Sequence, residues 1–264
     1  MDQLSIIVPC YNEEQTVELF YTEVEKMVQY MPDIQTDYLF VDDGSTDRTL
    51  EKVKELRVRD KRVKYISFSR NFGKEAAMYA GLEHVSGEYA VIMDADLQDP
   101  PMLLPEMLRI IREEQYDSVA TRRVTRKGEP PIRSFCARQF YHIMNKISDV
   151  ELMDGARDYR FMTRKYVNAV LSLKEFNRFS KGIFGWVGFR TKWLEFENQE
   201  RSAGETKWSF WKLVQYSLQG IVSFSETPLY MASVLGGGMC GVALLAIIFI
   251  IVRQLLFGGS AFGW

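Results

Sequence analysis

VIMDADLQDPP, residues 91–101, runs from an apolar segment straight into a cluster of acids. Ala90 to Met93 read as the middle of a buried strand; Asp94, Asp96, Gln98 and Asp99 follow, and two prolines end the segment. On extended backbone, residues two apart point to the same side, which sets the Asp94 and Asp96 carboxylates side by side. Two such charges repel unless a cation lies between them. With Gln98 the donors are all oxygen, a set that suits Mg²⁺ or Mn²⁺ and not zinc. Mg²⁺ held by one or two carboxylates completes its shell with water and substrate phosphates. The stretch therefore reads as a metal site that carries a diphosphate. A solvated loop with surface acids is the plain alternative, and this stretch alone leaves both open.

The segments around it alternate in type. Leu4–Cys10 is a short apolar run closed by Pro9, and residues 12–31 carry helical spacing at Val17, Phe20, Val24 and Met27/Val28. A second strand at 37–45 ends in Asp42, Asp43 and Gly44, a charged helix follows at 47–60, and a third strand at 62–70. A helix at 73–87, the strand at 88–96, a helix at 102–114 and a strand at 117–123 complete the series. Strands alternating with helices of this length argue an α/β layer with a mainly parallel sheet. In such sheets ligands bind beyond the carboxyl ends of the strands. Those ends carry Asn12/Glu13, Asp42/Asp43, Ser69/Arg70 and Asp94/Asp96, and acids there can accept hydrogen bonds from a base edge or a ribose hydroxyl. GxxxxGK[ST] and GxGxxG are both missing, which excludes a P-loop and the dinucleotide fingerprint.

Bulk properties narrow the class. The 264 residues suffice for one large domain or a domain plus an appendage, and a net charge of −2 supplies no basic field for nucleic acid. Three cysteines far apart argue against a disulfide framework and fit a reducing compartment. Two histidines are too few for a His-rich metal site. The first residues lack the basic and apolar regions of a signal peptide. Between Glu226 and Arg253 there is no charged residue. As a helix, Leu229–Val252 would span roughly 36 Å, enough for a hydrocarbon core of about 30 Å. A buried core helix is the alternative, and three consecutive glycines, Gly236–Gly238, argue against it. Two further segments, the basic amphipathic one at 122–146 and the aromatic one at 208–225, suit either core packing or a membrane interface.

The stretches SIIVPCYNEE, VDDGSTDRT, SRNFGKEAAMYAGLEHVSGEYAVIMDADLQDPP, DGARDYRFMTRK and RSAGETKWSFWKL, in this order, resemble the family 2 glycosyltransferases of the GT-A fold. Within them the similarity is to the polyprenyl-phosphate sugar transferases, and it covers about Leu4 to Pro228. The resemblance implies an α/β GT-A nucleotide-sugar-binding fold with interfacial amphipathic helices and a C-terminal transmembrane helix. It divides the chain into a catalytic domain at 1–206, juxtamembrane helices at 207–228, a membrane helix at 229–252 and a loop at 253–264 that leads toward a second membrane helix. Pro9, Tyr11, Glu13, Asp42 and Asp43 would hold the nucleoside, with Lys74 and Asp94 also on the donor. Asp94, Asp96 and Gln98 would form the Mg²⁺ or Mn²⁺ and diphosphate site, Asp96 most directly. Asp158 and Arg160 match an Asp-aromatic-Arg segment near the acceptor and, with Asp96, are the expected catalytic residues. Arg201 and Lys207 match a basic flap over the diphosphate. Arg122, Arg133 and Arg138 are candidates for the acceptor phosphate. Arg157, ahead of Asp158, stands where a smaller residue is expected.

These implications amount to an inverting transfer of a hexose, with UDP-glucose the first choice of donor, to a polyprenyl phosphate. A phosphomonoester is mostly dianionic near pH 7, so Asp158 is expected to position first and act as a base second. Lys207 and Lys212 precede the span, which by the positive-inside tendency puts the catalytic part on the cytoplasmic side of the plasma membrane. The family also suggests a homo-oligomer through membrane-proximal helices. Processive polysaccharide synthases of this fold carry QxxRW, which is missing here. A non-prenyl acceptor and a non-catalytic nucleotide-sugar binder are the remaining alternatives.

Overall fold

A computed structural model describes residues 2–124, 139, 141–142, 144–148, 150, 152–175, 178–197, 218 and 220–258. It divides into two compact units, Met1–Ser223 and Phe224–Trp264. The first is built on β1 (Asp2–Cys10), α1 (Val17–Val28), β2 (Ile34–Asp42), α2 (Thr49–Arg59), β3 (Val63–Ser67), α3 (Lys74–His84) and β4 (Tyr89–Ile92). A 3₁₀ turn at Pro101–Leu103 leads into α4 (Leu104–Glu114), β5 (Ser118–Arg123), β6 (Ala156–Thr163), α5 (Arg164–Ser172), α6 (Ser180–Trp186) and β7 (Thr191–Phe196). The expected α/β alternation is present through β5; β6 and β7 were not legible as strands.

The seven strands form one sheet in the order β3-β2-β1-β4-β6-β5-β7. β1, β2, β3 and β4 are mutually parallel, β6 is antiparallel to both β4 and β5, and β7 is parallel to β5. Only β6 is reversed, so the mainly parallel sheet stands. The apolar sequence runs explain the layering. Leu4, Ile6, Val8, Phe40, Val91 and Phe161 share a core with Val17, Phe20 and Val24 of α1 and Met107 and Ile111 of α4. Ile7 lies on the other face, under α3: a Cβ at Gly81 would sit 2.3 Å from its Cγ2, so only glycine permits this approach.

Pro9 sits inside a central strand, a place proline rarely takes. The Ile7 carbonyl accepts from the Met93 amide, so the β4 side of β1 is reached by residues 7 and 9. β4 pairing ends at Ile7↔Ile92, and a donor at position 9 would find no ladder partner there. Pro9 therefore costs no ladder bond and marks where the sheet opens.

The expectation of an extended Asp94–Asp96 segment is corrected. β4 stops at Ile92, residues 95–97 form a turn, and Leu97 takes φ 57°, a left-handed backbone uncommon for a branched side chain. The two carboxylates are therefore not related by the two-residue repeat of a strand.

The second unit holds α7 (Thr227–Phe257), 31 residues with no buried side chain. At about 1.5 Å per residue it is roughly 46 Å long, beyond the about 30 Å of a bilayer core. Leu229, Val234, Leu245, Ile248 and Phe249 are all more than half exposed, so the helix is apolar all round. It continues past Val252 to Phe257, so the loop expected from residue 253 begins only at Gly258.

Gly44 holds the turn after β2 at φ 66°, and a Cβ there would lie 2.4 Å from the Arg70 carbonyl carbon and 2.7 Å from the Asn71 amide. Gly44→Ala is expected to cost about 2–4 kcal/mol, from the left-handed backbone plus the overlap. Thermal or denaturant unfolding of the purified chain checks this; a change under about 0.5 kcal/mol would refute the close approach.

Candidate active site

The site forms where β1, β2 and β4 end and β6 begins. Its first layer is a set of laced loops. The Asn12 amide donates to Ser45 Oγ at 2.9 Å, Asn12 Oδ1 accepts from the Thr46 amide at 2.8 Å, and the Glu13 amide donates to Thr49 Oγ1 at 2.7 Å. Asn12 has φ 54°, a conformation its short polar side chain supports. Asp42 accepts from the Ser45 amide and the Ser67 hydroxyl, both at 3.2 Å. Asp43 accepts from the amides of Phe72 at 2.7 Å and Gly73 at 2.9 Å, just ahead of α3, where the helix dipole favours a negative charge. Burial pushes the Asp43 carboxyl up, against the pull of those two amides. Asp42 and Asp43, expected on the nucleoside, are thus also the pins of the loop. Tyr11 is half-buried at the same edge, as are Pro9 and Glu13, and Glu13 Oε2 accepts from Thr16 Oγ1 at 2.8 Å.

The second layer is charged. β4 ends at Ile92, paired with Arg160, and beyond its end Asp94 comes close to Asp158 of β6. Like charges at close range repel. Lys74, the first residue of α3, resolves this: its Nζ donates to Asp94 at 2.7–2.8 Å and to Asp158 at 2.5 Å. A cation at a helix N-terminus opposes the macrodipole, so the carboxylates and not the helix fix its place. Burial alone would push the Asp158 carboxyl up, but the Lys74 and Lys181 ammonium groups outweigh burial and hold it well below the usual carboxylate range. Asp158 Oδ1 is buried with no hydrogen-bond partner among the described residues.

Arg157, the residue that departs from the expected pattern, donates from Nε to Asp99 at 2.7 Å and lies 3.9 Å from Asp94. Burial pushes Asp99 up to about 6 against that guanidinium. Asp96 is buried, and its Oδ1 accepts from the Gln98 amide at 3.1 Å. Three or more His, Cys, Asp or Glu residues placed to hold a metal do not occur among the described residues. Of the expected ligands, Asp94 is bonded to Lys74 and Asp96 to the Gln98 backbone amide, and with the Gln98 side chain they bring oxygen donors and no thiolate or imidazole. That fits a hard cation that takes its other ligands from substrate phosphates and water.

Arg160 is 4% exposed and donates from Nη1 to Ser118 Oγ and Tyr166 Oη, both at 3.1 Å. Its guanidinium carbon lies 4.6 Å from the Phe184 ring centre and 5.4 Å from that of Trp193. Its Nε has no hydrogen-bond partner among the described residues; burial opposes its charge, which the Asp158 carboxylate favours. A desolvated cation costs several kcal/mol, and rings offset only about 0.5–2 kcal/mol each. Arg122 is bound to Glu195 by Nε at 3.0 Å and by Nη2, with Nη1 on Met153 Sδ at 3.1 Å. Arg133, Arg138, Arg201 and Lys207 lie outside the described residues. Lys181 and Arg157 are the site residues that sequence reasoning missed; no local pattern marks either.

Lys74→Met leaves Asp94 and Asp158 facing each other unpaired. The side chains are 30%, 20% and 16% exposed, between surface and full burial, so about 2–4 kcal/mol is the expected loss at pH 7. A carboxyl depressed on folding adds stability above its ordinary value of 3.8 and loses it as pH falls below that value. The gap between wild type and variant should therefore shrink as unfolding is measured from pH 7 down to about pH 3. An unchanged gap would refute the bridge as its cause.

Residues 5–171 match the family described as Glycosyl transferase family 2. CsbB of Bacillus subtilis (strain 168), named as a glycosyltransferase, is 47% identical over 250 residues, 94% of this chain and 74% of its own. A bactoprenol glucosyl transferase of Shigella phage SfV is 36% identical over 262 residues, 99% of this chain and 85% of its own. In fold, the chain is similar to a mannosyltransferase from Pyrobaculum calidifontis solved with GDP-Man and Mn²⁺, at a TM-score of 0.59, 18% identity, and 84% and 64% coverage of the two chains. With the strand-end acids, the reversed β6 and this similarity together, the chain belongs to glycosyl transferase family 2 and is a glycosyltransferase.

Proposed function

We propose that this glycosyltransferase moves glucose from UDP-glucose to a polyprenyl phosphate, with inversion, at the cytoplasmic face of the plasma membrane. The observation that carries the reading is the meeting of Asp94, just past β4, and Asp158, on β6, at the Lys74 ammonium where the sheet opens. Relatives named bactoprenol glucosyl transferase, aligned over 99% of the chain, support the sugar and the acceptor. The long apolar helix α7 supports action on a lipid.

The chemistry follows from charge. An acceptor phosphate oxygen attacks the anomeric carbon as the bond to the nucleoside diphosphate breaks, through an oxocarbenium-like state. One displacement inverts the centre. The dianionic phosphate already has the electron pair it needs, so no proton must be removed. That agrees with Asp158, whose carboxyl is held ionised by Lys74 and is a weak proton acceptor. Asp158 instead orients Lys74 and the reacting groups. Bound at Asp96, with Asp94 and Gln98, Mg²⁺ or Mn²⁺ would neutralise the leaving diphosphate. Arg201 and Lys207 would add positive charge on the same group.

Asp96→Ala is expected to lower transfer by about 10²–10³-fold or more, while UDP binding without metal weakens only slightly. Near-normal turnover would overturn the metal assignment. A panel of radiolabelled nucleotide-sugars with undecaprenyl phosphate tests the whole reading. Label should enter the organic phase with UDP-glucose and cease with EDTA. Transfer from another donor would reassign the sugar, and transfer only to a soluble acceptor would overturn the lipid assignment.

A further inference from the structure

Asp94, Asp96 and Asp99 crowd the segment after β4, and Lys74, bonded to Asp94, is one resident cation among them. Arg157, at the start of β6, is a second. Among the described residues its one hydrogen bond runs from Nε to Asp99 Oδ1 at 2.7 Å, and Nη2 stands 3.9 Å from Asp94. A guanidinium given wholly to Asp99 would close on both of its oxygens. Instead Asp99 Oδ2 is buried with no hydrogen-bond partner among the described residues, and the Nη2 end lies toward Asp94. The Asp99 side chain is 0% exposed, while Arg157 keeps 21% of its side chain open. Burial opposes the guanidinium charge, and the Asp99, Asp94 and Asp96 carboxylates outweigh burial. One guanidinium is thus felt by all three acids, including both that are expected to hold a divalent cation. A fixed positive charge at that place has opposite effects on two ligands. It repels a divalent cation that enters alone, and it attracts the phosphate oxygens of a nucleotide. The smaller residue expected ahead of Asp158 would do neither.

Resting on the donor and metal reading above, we propose that Arg157 sets the ligand preference of the donor site: its guanidinium, anchored by Asp99, is a fixed charge that weakens the site for a free divalent cation and strengthens it for a nucleotide diphosphate. Asp99 then serves as the positioning residue, since it holds the guanidinium off Asp94.

The test uses the full chain in detergent and reads binding, not turnover. Removing Arg157 alone would strand the buried Asp99, so Asp99→Asn is compared with the double variant Asp99→Asn/Arg157→Met, which differ by one positive charge. Free Mn²⁺ is followed by its electron paramagnetic resonance signal without nucleotide, and UDP and uridine by calorimetry in EDTA. The double variant should bind Mn²⁺ about threefold or more tightly than Asp99→Asn and UDP about threefold or more weakly, with uridine changed by less than about twofold. Opposite signs are the signature of charge. Mn²⁺ and UDP weakening together would mark damaged packing, and neither changing would leave Arg157 as the partner of Asp99 alone; either result overturns the proposal. Should the double variant fail to fold, Asp99→Asn gives a second reading: its guanidinium is free to close on Asp94, so Mn²⁺ should bind more weakly than to wild type, and equal or tighter binding overturns the proposal. Failure of the underlying reading looks different. If wild type binds GDP and not UDP, the donor assignment falls and GDP with guanosine decides the same comparison. Mn²⁺ bound by no chain even with nucleotide would sink the metal reading and this proposal together, whereas Mn²⁺ bound equally by all would sink this proposal alone.

Discussion

The salt bridge from Lys74 to Asp94 and Asp158 is the contact on which the site depends. Asp94, just beyond the end of β4, and Asp158, on β6, both reach the Lys74 ammonium, and without that cation the two carboxylates would repel. The ammonium arrives at the first turn of α3, against the preference of the helix dipole. Its position is secured further back. Asp43 accepts the two amides before the helix, and Gly44 lets the β2 loop lie directly on Arg70 and Asn71. Two segments distant in sequence, those of Asp94 and Asp158, are thereby tied to one nitrogen atom.

This arrangement separates the roles of the acids. Asp158 is anchored and ionised, suited to orientation and poorly suited to taking a proton. Asp99 is withdrawn from the surface and serves Arg157, which explains why a large residue is accommodated ahead of Asp158. Asp96 stands on a turn strained at Leu97, a cost that the surrounding packing sustains where geometry matters for binding. The acid cluster in one short motif thus splits into a bridge through Asp94, an internal ion pair through Asp99, and a buried Asp96 that accepts from the Gln98 amide.

The two units are stabilised by different physics. The first buries alternating apolar rows from a sheet and its helices, and relies on glycine where layers touch, as at Gly81. The second is a single helix whose side chains are exposed around the whole circumference. In water such a surface would be an aggregation site; in hydrocarbon it needs no partner, because the backbone groups of the helix interior are bonded within the helix and only its end turns need water or head groups.

The sequence by itself determined the element types through β5 and a C-terminal segment long and apolar enough to cross a membrane. Local periodicity is enough to mark a helix face such as Val17, Phe20 and Val24, and length and lack of charge are enough to mark α7. Ordered motifs were enough to point to the family and to most of the acids. Tertiary structure alone decided what those acids do. Lys74 reads from its motif as a donor ligand, because its partners lie 20 and 84 residues away. The Asp94–Asp96 spacing suggested a strand, but β4 ends at Ile92 and the chain turns at residues 95–96. Arg157, Asp158 and Arg160 interrupt the apolar pattern of β6, so its strand character was hidden, and nothing local tells that Arg160 is buried among rings. Periodicity is a property of neighbours along the chain; charge pairing and register are properties of neighbours across the sheet, and these follow only from strand order.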